Sequence, residues 1–230
     1  MECKPAHTPL DSKLQLDIKS ESLLNLSYYQ RLVGKLIYLT ITRPDISYSV
    51  SIVSQFMHAP TIAHLNIVKR ILRYLKGSVG RGIMLKNNGN TNIMGYADAD
   101  WAGNALDRKS TTGFCTFVGG NLVTWRSKKQ SVIARSSAEA EYRAMTSAAC
   151  ELIWLKAAMH IASNPVFHER TKHIEVDCHF IRAQVQSKVI ETHYTNNKDQ
   201  LADIFTKSLP AAHFQMILSK LGSINPLDPT

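Results

Sequence analysis

The stretch GYADADWAG, residues 95–103, sets two aspartates one residue apart in a run that reads as a β-strand. Side chains at i and i+2 of a strand share a face, so Asp98 and Asp100 are expected side by side. Neighbouring carboxylates repel unless something positive lies between them. The pair therefore raises the question of a metal site, and of which other elements complete it.

Working outward, the strand signal continues on both sides. GIML (82–85) and NIMGYAD (92–98) flank an Asn-Gly-rich turn at Asn87–Asn90. GFCTFVGGNLVTWRSKK (113–129) reads as a hairpin turning at Gly119–Asn121. Residues 82–129 are thus predicted to form three or four antiparallel strands. The basic end of the hairpin, Arg126, Lys128 and Lys129, is a candidate phosphate-tracking surface.

A long helix follows, RSSAEAEYRAMTSAACELIWLKAAM (135–159). Ser136 with Glu139 three residues on is a capping box, and Glu139 can also pair with Arg143 one turn later. That separates the two glutamates of the run. Glu141 instead heads the stripe Glu141, Met145, Ala148, Leu152 and Leu155, the face predicted to pack on the sheet. A carboxylate there needs a partner or a metal, unless the stripe tilts and Glu141 reaches water.

Further on, KHIEVDCHFIRAQV (172–185) fits helix or strand, and its length favours helix. VIETHY (189–194) reads as a strand. NNKDQLADIFTKSLP (196–210) is a turn and short helix with Asp199 as a plausible cap, Asp203 in the first turns and Pro210 as the stop. AAHFQMILSKLG closes with a helix using Phe214, Ile217 and Leu221.

Upstream of the strands, residues 1–27 are polar, with Pro5 and Pro9, and read as a loose lead-in. Three helices are predicted next. The first carries Leu32, Leu36 and Leu39. The second opens at Pro44 and carries Ile46, Val50, Val53 and Met57. The third is capped by Thr61, ends at Gly77 and carries Leu65, Val68, Leu72 and Leu75. The other side of the third helix, with Lys69, Arg70, Arg73 and Lys76, is either a phosphate-tracking face or a merely solvated one.

The chain has 27 Lys and Arg against 18 Asp and Glu, a formal charge of +9. That balance suits a polyanionic partner, nucleic acid being the simplest, or an ordinary basic surface. Cys3, Cys115, Cys150 and Cys178 show no C-x-x-C spacing and no secretory disulfide pattern. The polar start MECKPAHTPLDSK is not a signal peptide. The early apolar run RLVGKLIYLTI is interrupted by Lys35 and is too short to span a bilayer. The expectation is a soluble, cytoplasmic protein without a membrane, with access to the nucleus left open.

Three acids stand out: Asp98 in a strand, Glu141 early in a helix on that sheet, and Asp203 early in a late helix. Hard cations such as Mg²⁺ take carboxylate oxygens, and two such ions about 4 Å apart can drive phosphodiester hydrolysis. The strings around these acids say more than their spacing. YADADWAG, RKSTTGF, SSAEAEYRA, NPVFHERTKHIEVDCHFIR and DQLADIFTKSLP, in this order, resemble the ribonuclease H (RNase H) domain of copia-type LTR retrotransposon Pol polyproteins. YYQRLVGKLIYLTITRPDISYSVSIVSQFM and LRYLKG resemble the segment between the reverse transcriptase palm and that domain. The resemblance runs from about Lys4 to Gly222.

It implies an α/β fold: an RNase H-like mixed sheet with flanking helices, preceded by a small helical region. Residues 1–81 would be a helical remnant of the reverse transcriptase thumb or connection region. Residues 82–210 would be the RNase H-like domain, and 211–230 a C-terminal helix and tail. The resemblance also implies a Mg²⁺- or Mn²⁺-dependent endonuclease acting on the RNA strand of an RNA–DNA hybrid, within a larger Pol polyprotein. Asp98, Glu141 and Asp203 match its catalytic, metal-holding acids, and Asp100 is a neighbour.

Two departures qualify this. No Y-x-D-D string occurs, so reverse transcriptase activity is not expected of this chain. In the family, a strand with a C-D-N-like string and a catalytic aspartate follows the long helix. Here the helix passes directly into HIASNPVFH, and no Asp occurs between Glu151 and Asp177. A strand, part of a helix and their connections need roughly 20 residues. An internal deletion near Met159–His160 is therefore expected, removing a central strand and one ligand. Two readings remain: an RNase H-type ribonuclease with reduced or lost activity, and a non-catalytic nucleic-acid-binding remnant.

Other sites are weaker. His168, His173, Cys178 and His179 match no common zinc spacing, and no G-x-S-x-G string marks a serine nucleophile. Trp101, Trp125 and Trp154 are expected to be buried rather than to stack on bases.

Overall fold

Residues 92–129 form the sheet that the aspartate-bearing stretch foretells. A computed structural model describes residues 3–12, 20–104, 106–163 and 177–225. Strands β2 (Ile93–Asp100), β3 (Thr111–Val118) and β4 (Asn121–Lys129) form an antiparallel sheet in the order β2-β3-β4. Gly119 and Gly120 close the β3–β4 hairpin at φ 56° and 77°, the left-handed conformation that a tight two-residue turn requires. A side chain at Gly119 would also strike the Asn90 carbonyl.

The register sets the two faces of this sheet. Asp98 pairs with Gly113 and Gly113 with Ser127, while Tyr96, Cys115 and Trp125 align one pleat away. Helix α4 (Ser137–Ser163) lies across the opposite face. Its buried residues are Ala140, Ala144, Ala148, Ala149 and Leu155, and Leu152 sits over Gly95. Ala148, Leu152 and Leu155 of the predicted stripe face in, whereas its start is offset by one residue, with Ala140 and Ala144 packing in place of Glu141 and Met145. Small alanines let the helix approach β2 closely, and Glu141 falls at the margin of the contact.

The helices before the sheet are α1 (Leu26–Leu39), α2 (Ser47–Ser54), entered through a 3₁₀ turn at Pro44–Ile46, and α3 (Ile62–Lys76). Thr61 caps α3 by accepting the His64 N–H, and His64 Nδ1 accepts the Thr61 N–H in return. Tyr29, Val33 and Leu36 bury the inner side of α1, and Ile71 and Tyr74 that of α3, where Leu72 is exposed. A buried network joins the turn to α3. Arg43 grips both oxygens of Asp45 and donates to the Ser78 carbonyl, and the Tyr74 hydroxyl donates to Asp45 at 2.6 Å.

The apolar core passes from these helices into the sheet without a break at 81/82. It includes Val53 and Val68, then Cys115, Phe117 and Leu122. Trp125 Nε1 donates to the Thr40 carbonyl at 2.9 Å, and the hydroxyls of Ser51 and Ser127 meet at 3.2 Å. Helix α6 (Ala211–Lys220) adds Phe214, Ile217 and Leu218 to the same core. Beyond it, β5 (Ser223–Ile224) pairs with β1 (Gly82–Ile83), all that forms of the GIML strand.

An α/β fold of helices and small antiparallel sheets is therefore present, and the strand pairs among the described residues are all antiparallel. Helix α5 (Asp177–Gln186) agrees with the helical reading of its segment; residues 172–176 lie outside the described residues. The strand predicted at 189–194 does not form. That run is irregular and almost wholly exposed, because an extended segment needs a neighbour for its backbone groups, and none lies along it among the described residues. The cap of the late turn also differs: Gln200 accepts the Ala202 N–H, and Asp199 pairs with Lys220 instead.

Candidate carboxylate site

Asp98, Glu141 and Asp203 are carried by three elements distant in sequence, and the fold brings them together. Asp98 lies near the end of β2 and is buried. Asp203 lies in a 3₁₀ turn, Leu201–Phe205, and is equally buried. That turn docks on β3 at Gly113, where a Cβ would stand 2.6 Å from Thr206 Cγ2 and 2.8 Å from Phe205 Cβ. A residue without a side chain at 113 is what allows the turn to reach the sheet beside Asp98.

Two residues just after the turn hold the pair. The Thr206 hydroxyl donates a short hydrogen bond to Asp98 Oδ2. The Lys207 ammonium lies 2.9 Å from Asp203 Oδ1 and 3.5 Å from Asp98 Oδ2. Burial pushes the Asp203 carboxyl up, and the Lys207 charge works against that rise. Burial pulls the Lys207 ammonium down, but the two carboxylates outweigh it and raise it.

Glu141 approaches from α4 around the edge of β2, where the nearby Ala99 N–H favours its charged form. Burial, with the charges of Asp98 and Asp203, pushes this carboxyl up to about 7; Ala99 and Lys207 only partly offset the rise. Glu139 is engaged at the cap and with Arg143 as the sequence predicts, except that its carboxylate takes the N–H of Arg135 rather than of Ser136. Its N–H binds Ser136 Oγ, its carboxylate accepts the Arg135 N–H, and Arg143 pairs with it at 2.9 Å.

Asp100 folds back over Gly103, where a Cβ would collide with its carboxylate. Burial raises its carboxyl, and Asp98 adds to the effect. Tyr48 of α2 feels that carboxylate: burial and Asp100 push its hydroxyl up to about 12.

Carboxylate oxygens are the right donors for a hard divalent ion, but their arrangement is not that of a metal centre. Among the described residues, no three His, Cys, Asp or Glu side chains are grouped to hold a metal ion. An ammonium stands between Asp98 and Asp203, and Glu141 lies beside a backbone N–H. The donor chemistry fits Mg²⁺ or Mn²⁺ and the geometry does not. The zinc candidates His168, His173, Cys178 and His179 have side chains outside the described residues.

Lys207, Thr206, Gln200 and Tyr48 were not singled out from the sequence. Of these, only Lys207 carried a signal, its spacing four residues after Asp203.

The predicted nucleic-acid residues divide. Arg126 and Lys128 are exposed and by strand alternation share the α4 face. Lys129 points to the other face and is engaged, 2.7 Å from Asp107 and 3.0 Å from Gln55 Oε1. On α3, Arg70 pairs with Asp11, and Lys76 donates to the Cys3 carbonyl, so part of that basic face is occupied by the lead-in. The tryptophans are not all buried. Trp125 packs against the core, whereas Trp101 and Trp154 are exposed; Trp101 is tethered through Nε1 to the Ala134 carbonyl. No described helix is long and apolar enough to cross a membrane.

No family model matches the chain, and no solved structure matches it. It is 42% identical over 241 residues to the "Retrovirus-related Pol polyprotein from transposon RE1" of Arabidopsis thaliana, covering 95% of this chain and 16% of that protein. For the RE2 polyprotein of the same plant the values are 40% over 246 residues, 97% and 17%. For the TNT 1-94 polyprotein of Nicotiana tabacum they are 34% over 247 residues, 95% and 18%. The chain thus spans less than a fifth of these relatives. Each matched stretch is longer than the 230 residues of the chain, so the relatives carry residues within it that this chain lacks.

Proposed function

Because the chain belongs to the copia-type, retrovirus-related Pol polyproteins of transposons, we propose that it is their RNase H-like end in a form that does not cleave. The observation that carries this reading is the meeting of Asp98, Glu141 and Asp203. Three elements far apart in sequence deliver one acid each, and the three are close enough for Asp98 and Asp203 to raise the Glu141 carboxyl. A chain folding for stability alone gains nothing from that repulsion.

Loss of cleavage follows from what the cluster lacks. The reaction implied by the resemblance is hydrolysis of the RNA strand of an RNA–DNA hybrid, which requires metal ions aligned with the scissile phosphate. Here Asp98 and Asp203 are committed to Lys207 and Thr206. The residues that the relatives carry and this chain lacks are assigned to the Met159–His160 join, with the fourth acid among them. Helix α4 runs unbroken through that join. The unpaired run at 189–194 fits the loss of its neighbouring strand. What the chain keeps is the basic exterior, including Arg126 and Lys128, for contact with hybrid or other nucleic acid.

The test is cleavage of a labelled RNA–DNA hybrid by the full chain in Mg²⁺ or Mn²⁺. No cutting above an Asp98→Asn control is expected. Inserting the corresponding RE1 residues at the Met159–His160 join should restore cutting, and Asp98→Asn in that protein should abolish it. Robust cutting by the unrestored chain, lost with Asp98→Asn, would overturn the inactivity. A folded, restored protein that does not cut would overturn the RNase H reading.

A further inference from the structure

We propose that the Lys207 ammonium is a built-in cation of the carboxylate site, occupying the place between Asp98 and Asp203 that a divalent ion would have to take from it. This rests on reading the cluster as descended from a metal site.

The geometry is specific. Lys207 follows Asp203 by four residues, so the 3₁₀ turn and the residues after it return its side chain over the acid that the turn presents. Its Nζ reaches an oxygen of each aspartate, at 2.9 Å and 3.5 Å. The aspartate side chains are 10% and 12% exposed, whereas that of Lys207 is 41% exposed. The lysine is thus far more open to solvent than the acids it bridges. A flexible four-carbon stem can swing the ammonium into water without disturbing the core. The anchor beside it is different in kind: Thr206 is fully buried and holds both Asp98 Oδ2 and the Asp203 carbonyl.

The electrostatics make the lysine a competitor rather than a bystander. Two buried carboxylates at this spacing need a cation. A divalent ion meeting the same oxygens would face a unit positive charge a few ångströms away. That repulsion scales with the product of the two charges and is twice that between unit charges at the same distance. Removing the charge should therefore tighten divalent-ion binding by about tenfold or more, although it takes no metal ligand away.

The test uses the full chain with Mn²⁺ as the probe, at one fixed pH. Calorimetric titration and thermal unfolding are run on the wild type, Lys207→Met and Lys207→Arg. Lys207→Met should unfold at a lower temperature without metal. It should bind Mn²⁺ about tenfold or more tighter than the wild type and be raised in midpoint by it. Lys207→Arg should behave as the wild type. Lys207→Met binding Mn²⁺ no tighter than the wild type would overturn the proposal.

Should Lys207→Met not fold, Lys207→Gln takes its place. Lysine acylation followed by mass spectrometry gives a measurement on the unmodified protein: the Lys207 amine should be slow to react without metal and faster with excess Mn²⁺. A rate that high Mn²⁺ leaves unchanged would likewise overturn the proposal. None of these readouts uses hybrid cleavage, so failure of the restored protein to cut would count against the RNase H reading alone.

Discussion

Replacing Glu141 by glutamine should stabilise this protein at alkaline pH and leave it unchanged in acid. The Glu141 carboxyl is raised from 4.5 to about 7, by burial first and then by Asp98 and Asp203. The raised value fixes the sign. Below about pH 4.5 both folded and unfolded chains hold the proton, and the glutamate costs nothing. Between 4.5 and 7 the unfolded chain releases the proton while the folded one keeps it, so stability falls as pH rises. Above 7 the whole penalty is present. At about 1.4 kcal/mol per pH unit the shift corresponds to about 3 kcal/mol. Glu141 is only partly buried, and solvent screening reduces this to about 2 kcal/mol.

Glutamine is nearly isosteric, has a similar helix propensity, and its carbonyl can still lie beside the Ala99 N–H. The variant removes the charge and little else. In urea titrations it should match the wild type near pH 4.5 and exceed it near pH 8 by about 2 kcal/mol. With a urea slope near 3 kcal/mol/M, that moves the midpoint by roughly 0.7 M. A gap that stays constant across the pH range, or a wild type that is the more stable at pH 8, would refute the placement of Glu141 beside two other acids.

Gly113→Ala places a methyl group 2.6 Å from Thr206 Cγ2 and 2.8 Å from Phe205 Cβ; it should cost about 1–3 kcal/mol in thermal unfolding, and an unchanged midpoint would contradict the docking of the Asp203 turn on β3. In hybrid binding followed over a salt series, Arg126→Ala with Lys128→Ala should flatten the log K against log[salt] slope by about 0.9 for each phosphate that is no longer neutralised. Lys129→Ala should leave that slope unchanged, because its ammonium already pairs with Asp107; a slope carried by Lys129 would refute the assignment.

The sheet was readable because its signals are local. Alternation across 92–98, the paired glycines at 119–120 and the S-x-x-E string at 136–139 each act within a few residues, and each has the expected partner in the structure. What the sequence could not reveal depended on partners far along the chain. Whether Val189–Tyr194 becomes a strand depends on a neighbour, and none of the described elements supplies one. The start of the α4 stripe is one residue off because Ala140 and Ala144, not Glu141 and the larger Met145, pack on the alanines of β2. Asp98, Glu141 and Asp203 were legible through the strings around them. Thr206 was not, since a buried threonine bonding a carboxylate 108 residues away has no sequence period. The tryptophans misled for a related reason: Trp101 anchors its nitrogen on Ala134 and leaves its ring in water, which composition does not disclose.

On the proposed reading, the outer edge of β2 links the missing segment to the state of the site. At Ala97 the carbonyl is taken by Gln200 Nε2 at 3.0 Å, and at Ala99 the N–H has the Glu141 carboxylate beside it. These are groups that a neighbouring strand would otherwise occupy, and buried or half-buried backbone groups do not stay unpaired. Side chains occupy this edge of β2. One of them is an acid that a metal centre would need pointing at the ion. On the proposed reading, losing the strand therefore acts twice: it removes one carboxylate outright, and it leaves Glu141 against the backbone at β2. Lys207 then supplies the positive charge that Asp98 and Asp203 still require. One ammonium offsets part of the charge of the cluster, and refilling the β2 edge should release Glu141 at the same time as it restores the missing acid.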